Sequence, residues 1–187
     1  MTVICVTGMP GAGKGEVVNI LRDQKGLPVV RMGDMVWEFV QAQGLPLEPK
    51  VVGEVANSER QLHGNDIWAK RCVKKVNDLL SSGHRHVIID GVRTRSEIDT
   101  FKSSFKHDFY VIAIFASLKT RYERITARKR ADDTQTREDF DKRDKRELSW
   151  GLGDVISMSD VMLINEGKLQ ELLSSTLKAY EDITRGK

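Results

Sequence analysis

Gly8-Met9-Pro10-Gly11-Ala12-Gly13-Lys14-Gly15 is the stretch on which the rest of the chain is read. A β-rich apolar run, residues 2–7, precedes it, and residues 15–24 follow with Val17, Val18 and Leu21 spaced as one helical face. The glycines therefore join a strand to a helix. In that context they let successive backbone N–H groups point into one concavity without Cβ clashes. The helix adds the positive end of its dipole, and Lys14 adds a mobile ammonium. Such a loop is built to cradle phosphate.

Outward from this loop, strands and helices alternate. Further strands are predicted at 28–32, 86–90, 109–115 and 161–164, and helices at 34–43, 51–62, 66–81, 95–105, 118–129, 136–149 and 168–183. Residues 44–50, with two prolines and a glycine, read as a loop. The alternation predicts an α/β fold, a five-stranded parallel sheet with helices on both faces and its site at the carboxyl ends of the strands. The 187 residues suit one domain, 1–187, with two excursions from the sheet at 32–82 and 129–147.

The net charge of +3 is too small for a general nucleic-acid binder. It is also localised: residues 121–146 hold ten Arg/Lys and seven Asp/Glu, so the remainder sums to zero. That favours a small polyanionic ligand over a broad nucleic-acid surface. Cys5 and Cys72 have neither a disulfide framework nor metal-ligand spacing. The apolar run Val3–Val6 is too short for a signal peptide or membrane span, so a cytoplasmic protein without a membrane partner is expected. Oligomeric state is not legible.

Four groups of residues carry candidate chemistry. Asp90 ends an apolar strand, where an acid orients hydrated Mg²⁺ beside bound phosphates, and Arg93 follows closely. Asp34 is either a helix N-cap or a ligand contact, and Trp37 either stacks on a base or packs. Arg124 and Arg128 share a helix face, with Arg130, Arg143 and Arg146 beyond them. Guanidinium groups hold two phosphate oxygens at once, although the interleaved acids also fit a salt-bridged exposed helix. Asn165 reads as a turn residue.

GMPGAGKGE resembles the GxPGxGKGT loop of adenylate kinases and related P-loop nucleotide kinases, in which glycine also follows the lysine. Glu16 stands where that family usually has threonine; it could favour the helix N-terminus or hydrated Mg²⁺, and it would also repel phosphate. Asp90-Gly91-Val92-Arg93-Thr94 looks like the family's DGFPRT element one residue shorter, and Met32-Gly33-Asp34-Met35 like its TGDML element. Three residues after Asp34 the family places an acceptor-binding arginine; here it is Trp37, and Arg31 or Arg60 is the candidate replacement charge. Arg124, Arg128 and Arg130-Ala-Asp132-Asp133 resemble the elements flanking the family's lid, with most of the lid missing. Residues 160–167 resemble the last strand and turn of dephospho-CoA kinases, and the chain as a whole resembles a short-lid, largely archaeal branch.

The resemblance implies an ATP- and Mg²⁺-dependent kinase acting on a small nucleotide-like acceptor, first a nucleoside monophosphate and second dephospho-CoA. ATP would lie on Gly8, Met9, Pro10, Gly11, Ala12, Gly13, Lys14, Gly15 and Glu16, with Arg124 over its base. Lys14, Arg93, Arg128 and Arg130 would be catalytic, Asp34, Trp37 and Arg93 would bind acceptor, and Asp90 would hold Mg²⁺ through water. The 32–82 excursion would bind the acceptor and 129–147 would be a short lid. A nucleotide-binding regulatory or nucleic-acid-processing ATPase is the alternative of a different class.

Overall fold

The structure, a computed structural model, describes residues 1–128 and 136–185. Five strands, β1 (Thr2–Gly8), β2 (Val29–Arg31), β3 (His86–Asp90), β4 (Phe109–Phe115) and β5 (Val161–Ile164), form one sheet in the order β2-β3-β1-β4-β5. Every pairing is parallel, as the alternation of strands with helices predicts. The helices are α1 (Lys14–Lys25), α2 (Met32–Ala42), α3 (Pro49–His63), α4 (Ile67–Ser81), α5 (Arg95–Phe105), α6 (Leu118–Arg128), α7 (Arg137–Ser149), α8 (Leu152–Ser157) and α9 (Leu169–Thr184).

Side-chain alternation along the strands divides the core into two apolar layers. Val3, Cys5, Val87, Ile89 and Val111 face α2, α4 and α5, where Trp68, Cys72 and Phe101 are fully enclosed. Ile4, Val6, Ile88, Ile112 and Ile114 face α1 and α9, meeting Val17, Val18, Leu21, Leu172 and Ala179. Both cysteines are buried and unbridged, and burial pushes the Cys72 thiol up to about 12.

Register brings the chemistry together. Val6 lies opposite Asp90, and Gly8 lies opposite Ile114, so the glycine-rich loop and the acid leave adjacent strands at the same end of the sheet. The buried Thr7 hydroxyl donates to the Val92 carbonyl at 3.1 Å and ties the two exits together. Residues 32–81 are the α2–α4 excursion beyond β2. Among the described residues no helix is long and apolar enough to cross a membrane.

Two local expectations change. Helix α2 begins at Met32 with Arg31 at its cap, so Asp34 lies inside the first turn and caps nothing. Helix α8 is absent from the sequence reading because six residues are too few to show a helical period, although Leu152 and Val155 are buried.

Candidate functional site

The glycine-rich loop owes its shape to glycine conformations and to two buried side chains from the far half of the chain. Gly11 and Gly13 have φ of 81° and 108°, left-handed values costly for other residues. A Cβ on Gly13 would overlap the Asn165 amide, and one on Gly11 would meet the Arg121 carbonyl oxygen at 2.8 Å. Asn165, buried just after β5, donates from Nδ2 to the Ala12 carbonyl at 2.8 Å. Its Oδ1 accepts from Arg124 Nη2 at 3.3 Å. Arg121, buried on α6, donates to the Pro10 carbonyl at 3.1 Å and forms a two-point pair with Asp144 of α7 at 2.8 and 2.5 Å. Loop, α6, α7 and the β5 turn are therefore one hydrogen-bonded assembly.

Lys14 lies beneath the loop, donating to the Gly8 and Met9 carbonyls at 2.6 and 3.4 Å. Burial lowers its pKa to about 8, against the opposing pull of the Asp90 and Glu147 carboxylates. Asp90 stands opposite, with Arg31 3.8 Å away. Burial raises its carboxyl above the ordinary range, Lys14, Arg31 and Arg93 oppose that shift, and Asp34 adds to it.

Arg93 is oriented from its backbone. Thr94 caps α5 by accepting from Glu97 N at 3.2 Å, and the Glu97 carboxylate accepts from Arg93 N and Thr94 N at 2.9 and 3.1 Å. This capping box fixes the turn after β3. The Arg93 guanidinium lies 3.6 Å from the Glu147 carboxylate and over the Trp150 ring at 5.2 Å. Glu147 is itself buried, as is Glu97, whose carboxyl burial raises; half-buried Arg60 sits close enough to oppose that rise.

These groups line one cavity of about 720 Å³. Gly8, Pro10, Gly11, Gly13, Lys14, Gly15 and Glu16 of the loop line it together with Asp90 and Arg93 after β3, Arg124 and Arg128 of α6, and Arg143 and Glu147 of α7. Asn165, Leu169 and Leu172 edge the end beside Arg124, whose Nη1 is buried without a hydrogen-bond partner. Met9 belongs to the loop without lining the cavity, and Ala12 is buried beneath it.

The structure thus brings together most of the residues singled out in the sequence, and leaves Asp34, Trp37 and Arg146 aside. Asp34 and Trp37 are exposed on α2, and neither lines the cavity. Both face solvent because Met32, Met35, Val36 and Val40 form the helix's buried stripe. Arg130 lies outside the described residues. Arg146 stacks over Trp150 at 5.4 Å and does not line the cavity, whereas Arg143 does. The sequence reading passed over Arg121 and Glu147 and took Asn165 for a turn residue. No spacing rule marks them, because each acts across a sequence separation that only the folded chain closes.

A family model described as an AAA domain matches residues 7–146, most of the chain and all of the loop. The chain is 46% identical over 181 residues to a UPF0200 protein of Thermoplasma volcanium, covering 96% of this chain and 97% of the relative. Among solved structures it is similar to TT1252 from Thermus thermophilus, with a TM-score of 0.70 at 19% identity over 99% of this chain and 98% of that one. The shikimate kinase of Aquifex aeolicus aligns over all of both chains with a TM-score of 0.56 at 16% identity. At such identities the two structural likenesses concern the fold, a P-loop kinase fold.

Proposed function

The chain belongs to the UPF0200 family and carries an AAA domain match across most of its length, and on that premise we propose that it is an ATP-dependent phosphotransferase acting on a small, anionic, nucleotide-like acceptor. One observation carries the reading: a half-buried lysine in a glycine cradle shares a single cavity with an acid at a strand end and with several arginines. The cradle fits a nucleotide's phosphates, since the glycine-rich turn opens helix α1 at its N-terminus and Lys14 is the first residue of that helix. Arg124, which lines the cavity beside Asn165 and keeps Nη1 unpartnered, would lie over the base.

Mg²⁺ fits the same site through the nucleotide. Among the described residues no group of three or more His, Cys, Asp or Glu side chains can hold a metal ion by itself. The ion would be carried by phosphate oxygens, with Asp90 reaching it through water, and it would neutralise charge on the transferring group. The chain's own contribution is positioning and counter-charge. Lys14 meets the terminal phosphates, Arg93 the acceptor, and Arg128 and Arg143 the migrating phosphoryl group, with Arg130 assigned the same role by its place in the sequence. The α2–α4 excursion would close over the acceptor and residues 129–147 would act as a short lid.

A nucleoside monophosphate is the acceptor the resemblance implies. Dephospho-CoA is the second reading, because the chain resembles its kinases in the short lid and in the last strand and turn at residues 160–167. The test is an ATP/Mg²⁺ turnover screen over nucleoside monophosphates and dephospho-CoA, with Lys14→Ala as control. Phosphorylation of one acceptor, reduced about a thousandfold in the variant, supports the proposal. ATP hydrolysis indifferent to small acceptors but stimulated by nucleic acid would replace it with an ATPase working on nucleic acid.

A further inference from the structure

The cavity contains a carboxylate that a bound nucleotide does not require. Glu147 lies on α7 four residues after Arg143 and three before Trp150, so the three share one helix face. Its side chain is 5% exposed, yet it lines the cavity. Its ion pair with Arg93, at 3.6 Å, is too long for a hydrogen bond. Buried carboxylates are normally satisfied by close donors. Glu147 also acts electrostatically on Lys14, as Asp90 does, and both acids line the cavity.

We infer that the acceptor's nucleophile is a hydroxyl group and that Glu147 is the base that takes its proton. The inference rests on the phosphotransferase reading above and names the acceptor class. A phosphate-oxygen nucleophile is already anionic; it needs no base, and a buried carboxylate beside it is repulsive. A hydroxyl reverses both points. It donates to the carboxylate in the ground state, and its proton must leave as it attacks.

In the step, the hydroxyl oxygen forms a bond to the γ-phosphorus. The bond from that phosphorus to the β–γ bridging oxygen breaks, and its electron pair departs with ADP. The hydroxyl proton passes to Glu147, which returns it to water. Asp90 is already assigned in this reading to the waters around Mg²⁺, and Glu16, the other acid lining the cavity, is exposed. Asp34 is exposed and does not line the cavity. Arg93, its guanidinium half-exposed beside Glu147, would pair with an anionic group on the same compound. The acceptor class is a hydroxyl compound that also bears a carboxylate or phosphate.

The experiment compares the full chain with Glu147→Gln and Glu147→Asp, using ATP/Mg²⁺ with AMP and CMP as phosphate acceptors and dephospho-CoA and shikimate as hydroxyl acceptors. The expected result is turnover of a hydroxyl acceptor, with kcat falling about a hundredfold in Glu147→Gln and partly recovering in Glu147→Asp. ATP affinity, measured by calorimetry, should stay within about twofold, which separates loss of a base from loss of fold. Turnover of AMP or CMP alone, unchanged or faster in Glu147→Gln, would overturn the inference and leave the phosphotransferase standing. A hydroxyl acceptor whose kcat survives the glutamine would overturn the base assignment. No transfer to any of the four would overturn the inference together with the reading beneath it.

Discussion

The two ends of the cavity are held by different means. At the end proposed for the nucleotide the lining is the glycine-rich backbone with Lys14, and buried side chains act behind it: Arg121 on the Pro10 carbonyl and Asn165 on the Ala12 carbonyl. At the end proposed for the acceptor the lining groups are side chains answered by other side chains, as with half-exposed Arg93 and buried Glu147. Every nucleoside triphosphate presents the same phosphates, so a rigid cradle serves the first end. Acceptors differ, and an end made of exchangeable ion pairs can be altered residue by residue without disturbing the loop.

The largest expected break in this comparison is at Arg121. Arg121→Ala leaves Asp144 buried without its partner and should cost about 3–5 kcal/mol, lowering Tm by roughly 10 °C in a chain of this size. The double variant Arg121→Met/Asp144→Leu removes both charges and should recover most of the Tm, because a buried pair adds little over apolar packing. It should not recover ATP affinity, because the Pro10 carbonyl still lacks its donor. Thermal melts with and without ATP check both halves. If affinity returned along with Tm, the loop would not depend on this strut.

Lys14 gives the next largest effect, and its sign separates binding from stability. Its pKa in the folded chain is about 8, below the ordinary lysine value of 10.5. Between these values the unfolded chain holds the extra proton, so this group makes stability rise with pH across that window. Nucleotide binding runs the other way, since the anionic phosphates require the ammonium. ATP affinity should be flat below pH 8 and fall by roughly tenfold per pH unit above it. Calorimetry at pH 9 in two buffers of different ionisation enthalpy should show proton uptake on binding. A flat affinity to pH 9.5 would mean that Lys14 does not meet the phosphates.

What was legible in the sequence follows the same division. The glycine loop, Lys14, Asp90 and the five strands could be read because each is a local pattern, a turn chemistry or a period of two. The second row was hidden. Asn165 acts on Ala12 from 153 residues away and Arg121 on Asp144 from 23, and nothing in their neighbours marks either contact. The charge excess assigned to a phosphate clamp over 121–146 included Arg121, which is consumed by a buried pair. Glu147 is not marked in the sequence, because burial on a helix that is mostly polar leaves no periodic signature.

Trp37 tests the acceptor end with the smallest expected effect. It occupies the position where the resembled kinases carry an acceptor arginine, and it is 38% exposed on the solvent side of α2. If the cavity as it stands is the working site, Trp37→Arg should neither create AMP turnover nor change any existing turnover by more than about twofold. Stability should move by about 0.5 kcal/mol or less, as for other surface positions. A tenfold gain with AMP would show instead that this face of α2 turns toward the acceptor during turnover. The nucleotide end would then be the only part of the cavity built to stay still, and the acceptor end would be assembled by the ligand it receives.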